Sequence, residues 1–207
     1  MKRAAILTCW AFLSAVIAAD ADELHPPKGF EYVESKQSPS GAFKLVHYIK
    51  PPGDFTCESQ IWLEPLKPEF KRQLLFTFTN RAYPLIDATE THIAVAHHET
   101  SGDNLLWLFV RRADTPFHRL SQEIRAAALK EFSRQTHIRK TREDFDHFDC
   151  YPEAWLDNGQ LRGYLKGDSH DNHFYLKPWY FIYDADHEKF VPHAFPENKD
   201  AFVQEQR

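Results

Sequence analysis

Histidine is abundant in this sequence, with twelve among 207 residues, and its spacing decides whether it could bind a metal. His97 and His98 are adjacent, so on a strand their side chains point to opposite faces and cannot share one ion. Asp168 with His170 and His173 is a better arrangement, because a loop can bring imidazole and carboxylate groups together on zinc or copper. A catalytic zinc usually has three protein ligands, however, and the sequence has no His-Glu-x-x-His pair. A solvated polar loop is the favoured interpretation, so no metal or cofactor is predicted and a metal-dependent protein remains an alternative.

Residues suited to nucleophilic catalysis also lack the surroundings that such chemistry needs. The sequence has no Gly-x-Ser-x-Gly elbow, and Ser40 and Ser101 lie in turn signatures that use Ser and Gly for backbone reasons. Cys150 lies near His147 in the sequence, but a cysteine of an exported protein is more often used in a disulfide. The sequence therefore predicts no catalytic or cofactor-binding residue and leans against an enzyme, with a hydrolase kept as an alternative.

The first 21 residues have the pattern of a cleavable signal peptide. Lys2 and Arg3 supply the positive start, residues 4–19 are almost entirely apolar, and small residues precede the predicted cleavage after Ala21. Cys9 lies deep inside the apolar run, where a lipid-modified cysteine would be badly placed. The pattern predicts a periplasmic or secreted protein that is not a lipoprotein.

The mature chain, residues 22–207, is predicted to be a single globular domain. Cleavage removes two of 25 basic and one of 30 acidic side chains, leaving 23 and 29, a net charge of −6. This mild acidic balance excludes nucleic acid as the expected partner, because nucleic acid is bound by clustered Lys and Arg. The longest later apolar run, residues 105–110, is the length of a strand, so no stable membrane span is expected after cleavage.

Cleavage also leaves two cysteines, Cys57 and Cys150. In an oxidising compartment an even pair favours a disulfide, which the chain-entropy model values at about 4 to 5 kcal/mol for a loop this long. Two buried thiols, or a partner chain bridged through Cys57, are the alternatives.

Short alternating patterns separated by turn residues predict an antiparallel sheet of about eight strands built from hairpins. Residues 105–110 are apolar on both faces, which places that strand in the middle of the sheet. Asn158-Gly159 between two such runs is a strong hairpin signal, because both turn residues take positive φ. The predicted strands are 43–50, 60–64, 74–78, 91–98, 105–111, 154–157, 160–166 and 174–183.

One segment changes to helical spacing. From Pro116 to about Gln135, apolar residues recur at intervals of three and four, and Thr115 followed by Pro116 is typical of a helix start. The sequence predicts one long amphipathic helix over residues 116–135, packed on the sheet.

Aromatic residues crowd the last third of the chain. On a strand over 174–183, Trp179, Phe181 and Tyr183 would share one face, and Tyr180 would lie on the other. An exposed aromatic face could bind a sugar or a protein, whereas a covered one would belong to the core. The core interpretation is favoured, and the segment's role stays open.

Two stretches share an order of turn, strand, turn and strand. Ser38-Pro39-Ser40-Gly41 leads to Ile61-Trp62-Leu63, and residues 87–95 lead to Leu105-Leu106-Trp107-Leu108. They resemble blades of exported TolB-type β-propellers, whose repeats read roughly Ser-Pro-Asp-Gly, a hydrophobic strand, and a strand holding Leu-Trp. A third, similar unit begins at Trp155, which makes three units in all. Propellers typically have more, with about four to eight blades. The resemblance implies a sheet of hairpin repeats, and it implies no enzyme activity.

The fold class expected is mainly β, in α+β style. The leading hypothesis for function is an exported, non-catalytic binding or accessory module whose partner is an unknown protein or small ligand. The alternatives are a metal-dependent protein or hydrolase that uses the histidine-rich loop, and a structural or assembly subunit of the cell envelope.

Overall fold

The computed structural model of the chain describes residues 25–51, 57–79, 81–98, 103–113, 115–169 and 173–204. The predicted signal peptide, residues 1–21, lies outside these described residues, as do Ser101 and His170. Within them, no helix is both long and apolar enough to cross a membrane.

The chain forms three antiparallel sheets and is mainly β, with 51% of residues in strands. The first sheet contains, in spatial order, β1 (Glu31–Gln37), β2 (Phe43–Ile49), β3 (Glu58–Pro65) and β4 (Gln73–Thr79). The second contains β5 (Ala82–Ile86), β6 (His92–His98), β7 (Asn104–Val110) and β8 (His118–Arg119). The third contains β9 (His147–Trp155), β10 (Gln160–Asp168), β11 (Phe174–Asp184) and β12 (Lys189–Val191), with β13 (Phe202–Gln204) also paired to β11.

The mainly β class is therefore confirmed, whereas the single sheet of about eight strands is wrong. Strand β4 ends at Thr79 and β5 begins at Ala82, yet the two strands belong to different sheets. Hydrophobic alternation locates strands but carries no record of which neighbours pair, so it does not count sheets.

The second sheet is covered on both faces. Ile93, Val95 and Phe109 pack in one apolar cluster with the first sheet, where Phe43 and Phe76 contribute. The opposite face packs against the helix and the third sheet in a second cluster, to which Ala94, Ala96, Leu106 and Leu108 belong. Strand β7 is buried on both faces, as its continuous apolar run predicts.

The helix α1 (Ile124–Thr136) is shorter than predicted. Its N-cap is Glu123, whose carboxylate accepts hydrogen bonds from the backbone N–H groups of Arg125 and Ala126. Thr115 instead donates its hydroxyl to the carbonyl of Arg112 at 2.6 Å, closing a turn. The predicted start at residue 116 is wrong because His118 and Arg119 pair with β7 as the edge strand β8.

The two cysteines are free in this structure, so the predicted disulfide is not formed. Cys57 precedes β3 in the first sheet, whereas Cys150 lies in β9 and is fully buried in the cluster between the helix and the third sheet. Cys57 thus adjoins the first sheet, whereas Cys150 belongs to the third and is enclosed by apolar side chains. Burial raises the pKa of the Cys150 thiol well above its usual value, which keeps it protonated and unreactive.

The Asn158-Gly159 hairpin is confirmed. Asn158 has φ 64° and Gly159 has φ 70°, and the Leu156 N–H donates to the Gln160 carbonyl at 2.7 Å. The turn joins β9 to β10 and so determines which of their residues face each other.

Candidate ligand-binding face of the third sheet

The inner face of the third sheet is apolar core. Trp179, Phe181 and Tyr183 on β11 are 1%, 3% and 0% exposed. Phe132 of α1 packs edge-on against Trp179, with ring centroids 5.5 Å apart. These three aromatic residues therefore support the fold, as the core interpretation of residues 174–183 predicts.

The outer face of the same sheet has a row of tyrosines. Tyr151 on β9, Tyr164 on β10 and Tyr180 on β11 are directly opposite one another in the strand register. Their ring centroids are 5.5 Å apart from Tyr151 to Tyr164 and 5.7 Å apart from Tyr164 to Tyr180. All three side chains are half-buried. We call Tyr151, Tyr164 and Tyr180 the tyrosine row.

Cationic side chains lie over the two ends of the tyrosine row. The Arg162 guanidinium is 4.7 Å from the Tyr180 ring centroid and 5.1 Å from that of Phe195, and the Lys166 ammonium is 5.2 Å from that of Tyr151. These distances are within the range of cation–π attraction. The central Tyr164 lies between the two capped rings.

Each of these cations also has an acidic partner. Arg162 forms ion pairs with Glu153 at 2.6 Å and with Glu197 at 3.7 Å, and Lys166 forms one with Asp149 at 3.5 Å. Both cations beside the tyrosine row are thus paired within the protein, and the three carboxylates leave one negative charge in excess.

The hydroxyls of Tyr151 and Tyr164 are held in their protonated form. Burial raises the pKa of Tyr151 to about 12, and the charge of Asp149 adds to the effect. Burial raises the pKa of Tyr164 as well, with a further contribution from Tyr180. Asn104 donates its side-chain amide to the Tyr151 hydroxyl, whereas in the described part of the chain no hydrogen bond engages the hydroxyls of Tyr164 and Tyr180.

A groove adjoins the tyrosine row where β11 is irregular. Pairing between β10 and β11 shifts from Leu165 opposite Trp179 to Gly167 opposite Leu176, so Lys177 and Pro178 form a bulge. A bulge suits Pro178, because proline has no N–H to donate to a ladder. The groove has a volume of about 680 Å³ and is lined by His147, Lys166, Asp168, Tyr175, Pro178 and Val203, among others. We call it the Pro178 groove.

One end of the Pro178 groove carries a cluster of possible metal ligands. One ligand atom from each of Asp146, His147 and Asp168 lies within 4.8 Å of the other two, and the first two residues are exposed. The register of β9 and β10 creates this cluster by placing His147 opposite Asp168.

The histidines considered in the sequence are distributed differently. His97 is buried on β6, where its ring lies 4.8 Å from that of Phe76, and the His98 ring lies 6.1 Å from that of Tyr83. Among the described residues, neither joins Asp168 in a set of possible ligands. His173 lies just before β11, and His170 is outside the described residues.

The candidate nucleophiles have structural surroundings. The Ser40 hydroxyl donates to the Glu90 carboxylate at 2.9 Å, and the same carboxylate accepts the Ser40 N–H at 2.6 Å. These bonds link the first and second sheets through two turns. Cys150, as described above, is enclosed on the inner side of the third sheet.

Comparison of the chain with protein-family models, with curated proteins and with solved structures finds no match.

Proposed function

We propose that this protein is an exported, non-catalytic binding module whose ligand surface is the outer face of the third sheet, formed by the tyrosine row and the Pro178 groove. The observation that carries the proposal is the direct register of Tyr151, Tyr164 and Tyr180 on three neighbouring strands, where each side chain is half-buried. The signal-peptide pattern in residues 1–21 supports export.

Tyrosine is well suited to such a surface. It offers a large apolar ring and a polar hydroxyl, and it loses little conformational entropy on binding because its side chain has only two rotatable angles. The rings of the tyrosine row also contact one another, which limits their motion before a ligand arrives. A surface ordered in advance loses less entropy on association.

The inner face supplies the rigidity beneath this surface. Strand β11 alternates between inner and outer residues, so Trp179, locked against Phe132, lies next to Tyr180 of the tyrosine row. Sites on strands backed by a packed core hold their side chains more precisely than sites on loops.

The experiment that tests this function compares Tyr164→Ala with Tyr32→Ala. Tyr32 is an exposed tyrosine of β1 in the first sheet, which makes its variant a matched control. The wild type and both variants are assayed by biolayer interferometry on surfaces carrying defined polysaccharides and defined peptides. We expect at least one surface to bind the wild type and Tyr32→Ala but not Tyr164→Ala. Equal binding of all three proteins on every surface would contradict the proposal.

We propose metal binding as a second candidate function, on the proximity of Asp146, His147 and Asp168. Imidazole and carboxylate are ligands that zinc accepts. Isothermal titration with Zn²⁺ should show one site that His147→Ala removes, while substitution of the exposed His118 on β8 leaves it intact. Zinc binding that persists in His147→Ala would exclude this cluster.

We also propose that the sheets are related to propeller blades, as the resemblance to TolB-type repeats implies. The support is that the first two sheets each contain four antiparallel strands in chain order, and that the third begins with four more in the same order. An assembly role in the cell envelope would follow from such a relationship as the remaining alternative.

A further inference from the structure

We propose that the ligand of the tyrosine row is a neutral carbohydrate chain. This inference rests on the proposed function, because it names the class of ligand for the same surface. Three properties of the surface lead to it, namely its charge, its spacing and its open hydrogen-bonding groups.

The charge of the surface selects against ionic ligands. Arg162 is paired with Glu153 and Glu197, and Lys166 with Asp149, so a ligand bearing strong charge would have to replace an existing ion pair. A neutral ligand leaves these pairs in place. Among neutral ligands, a sugar chain combines weakly polar C–H faces with many hydroxyls.

The spacing of the rings suits a repeating ligand. The three tyrosines recur at 5.5 and 5.7 Å along a line that crosses the strands, which is the scale of a single sugar ring. Aromatic rings attract the slightly positive C–H edges of saturated rings because the ring face is electron-rich. A linear chain can therefore lie along the tyrosine row with one unit against the central Tyr164 and the neighbouring units beside Tyr151 and Tyr180, whose rings Lys166 and Arg162 partly cover.

The polar groups match sugar hydroxyls. The Tyr164 and Tyr180 hydroxyls, which have no hydrogen bond to another described residue, can donate and accept. At the Pro178 groove, Asp168 provides a carboxylate that accepts hydrogen bonds from hydroxyls. The groove's volume of about 680 Å³ lies within the usual range for small-ligand sites.

The test is isothermal titration of the full-length mature protein with three neutral hexasaccharides: maltohexaose, cellohexaose and hexa-N-acetylchitohexaose. At least one hexasaccharide should bind. Its affinity should change by less than about twofold between 50 and 500 mM NaCl, because a neutral ligand carries no charge for the salt to screen. Tyr164→Ala should weaken binding by about tenfold, the loss expected when one aromatic contact is removed. Tyr32→Ala, on the first sheet, should leave the affinity unchanged.

A conservative variant guards against a folding defect. Tyr164→Phe keeps the ring and removes only the hydroxyl, so it should weaken binding by less than Tyr164→Ala while retaining the wild-type circular dichroism spectrum. If Tyr164→Ala does not fold, Tyr180→Ala takes its place.

Two outcomes overturn the inference in different ways. If no hexasaccharide binds but a neutral twelve-residue peptide library binds with dependence on Tyr164, the carbohydrate class is wrong and the binding face stands. If neither class of ligand binds with dependence on Tyr164 or Tyr180, both the ligand class and the proposed function are wrong.

Discussion

The two faces of the third sheet both carry aromatic residues, but the residues of each face have a different role. The inner face presents Trp179, Phe181 and Tyr183, each at most 3% exposed and covered by the helix. The outer face presents the tyrosine row, half-exposed and flanked by ion pairs. Because neighbouring residues of β11 supply both faces, aromatic content alone does not distinguish core from binding surface. The two faces differ in whether another element of the fold covers them, as the helix covers part of the inner face.

The largest expected effect is on the inner face. Replacing Trp179 by alanine removes a fully buried ring and leaves a cavity beside Phe132, so it should lower the free energy of unfolding by about 3–5 kcal/mol. Tyr180→Ala, one residue along on the outer face, should cost about 1 kcal/mol. Urea unfolding monitored by circular dichroism measures both. Equal losses in the two variants would remove the distinction between the faces.

The next effect concerns the hairpin that sets the register of β9 and β10. Gly159 has φ 70°, and a Cβ added there would lie 2.7 Å from the His92 ring. Gly159→Ala should therefore lower the free energy of unfolding by about 1–3 kcal/mol. The control is Gly29→Ala, which also has positive φ but has no atom within 4 Å of the added Cβ. A loss at Gly159 no larger than the loss at Gly29 would show that the contact with His92 is unimportant.

A smaller effect is the pH dependence contributed by His92, which lies under the same hairpin. Its ring bonds to Asp87 at 3.2 Å and to Asp186 at 3.1 Å, joining the second and third sheets. Burial alone lowers the pKa of His92, but the hydrogen bonds to the two carboxylates outweigh it and raise the pKa. For Asp87, burial acts in the opposite direction and raises the pKa of the carboxyl group. Hydrogen bonds from His92 and Thr89 outweigh burial and lower this pKa to about 2, so Asp87 stays ionised at neutral pH.

A raised native pKa stabilises the fold below the unfolded value of about 6.5, and this contribution is lost as pH rises through the native pKa. The difference in unfolding free energy between wild type and His92→Gln should therefore be larger at about pH 5.5 than at about pH 8.5. His47, at the junction of the first and second sheets, should behave oppositely, because burial lowers its pKa. For His47→Gln, the difference in unfolding free energy from the wild type should therefore be larger at about pH 8.5 than at about pH 5.5. The same pH trend in both variants would contradict this explanation.

The smallest expected effect concerns the reactivity of the two cysteine thiols. Cys150 faces the inner core while its neighbour Tyr151 faces outward, so thiol reagents should leave Cys150 unmodified in the native protein and should modify the half-buried Cys57 slowly. Mass spectrometry after labelling, with and without urea, measures this. Modification of Cys150 in the native state would show that the inner face opens. If neither cysteine is labelled even in urea, the predicted disulfide is present in the protein.

Local features of the third sheet could be predicted from the sequence. Asn158-Gly159 identifies the turn, Pro178 indicates an edge position or a bulge, and the alternation over residues 179–183 separates the two faces. An unbroken ladder from that turn would place Tyr164 opposite Pro152. A bulge at Glu153 shifts the register by one residue and places Tyr164 opposite Tyr151 instead. The tyrosine row thus depends on an irregularity next to Pro152, whose missing N–H favours a bulge but does not fix the resulting register.

Longer-range features could not be predicted. The residues around Phe117 and Leu120 have helical spacing, but they serve two different clusters on either side of an edge strand. The division of the strands among three sheets, and the separation of Cys57 from Cys150, follow from packing between distant segments. Single-residue periodicity contains no information on such packing.

The most direct test of the binding face is an NMR titration of the mature protein with labelled aromatic side chains, using the same three neutral hexasaccharides. The account predicts that the ring resonances of Tyr151, Tyr164 and Tyr180 shift with at least one of them, while those of Trp179 and Phe181 on the inner face do not. Shifts confined to other parts of the molecule, or no shift with any of the three, would contradict it.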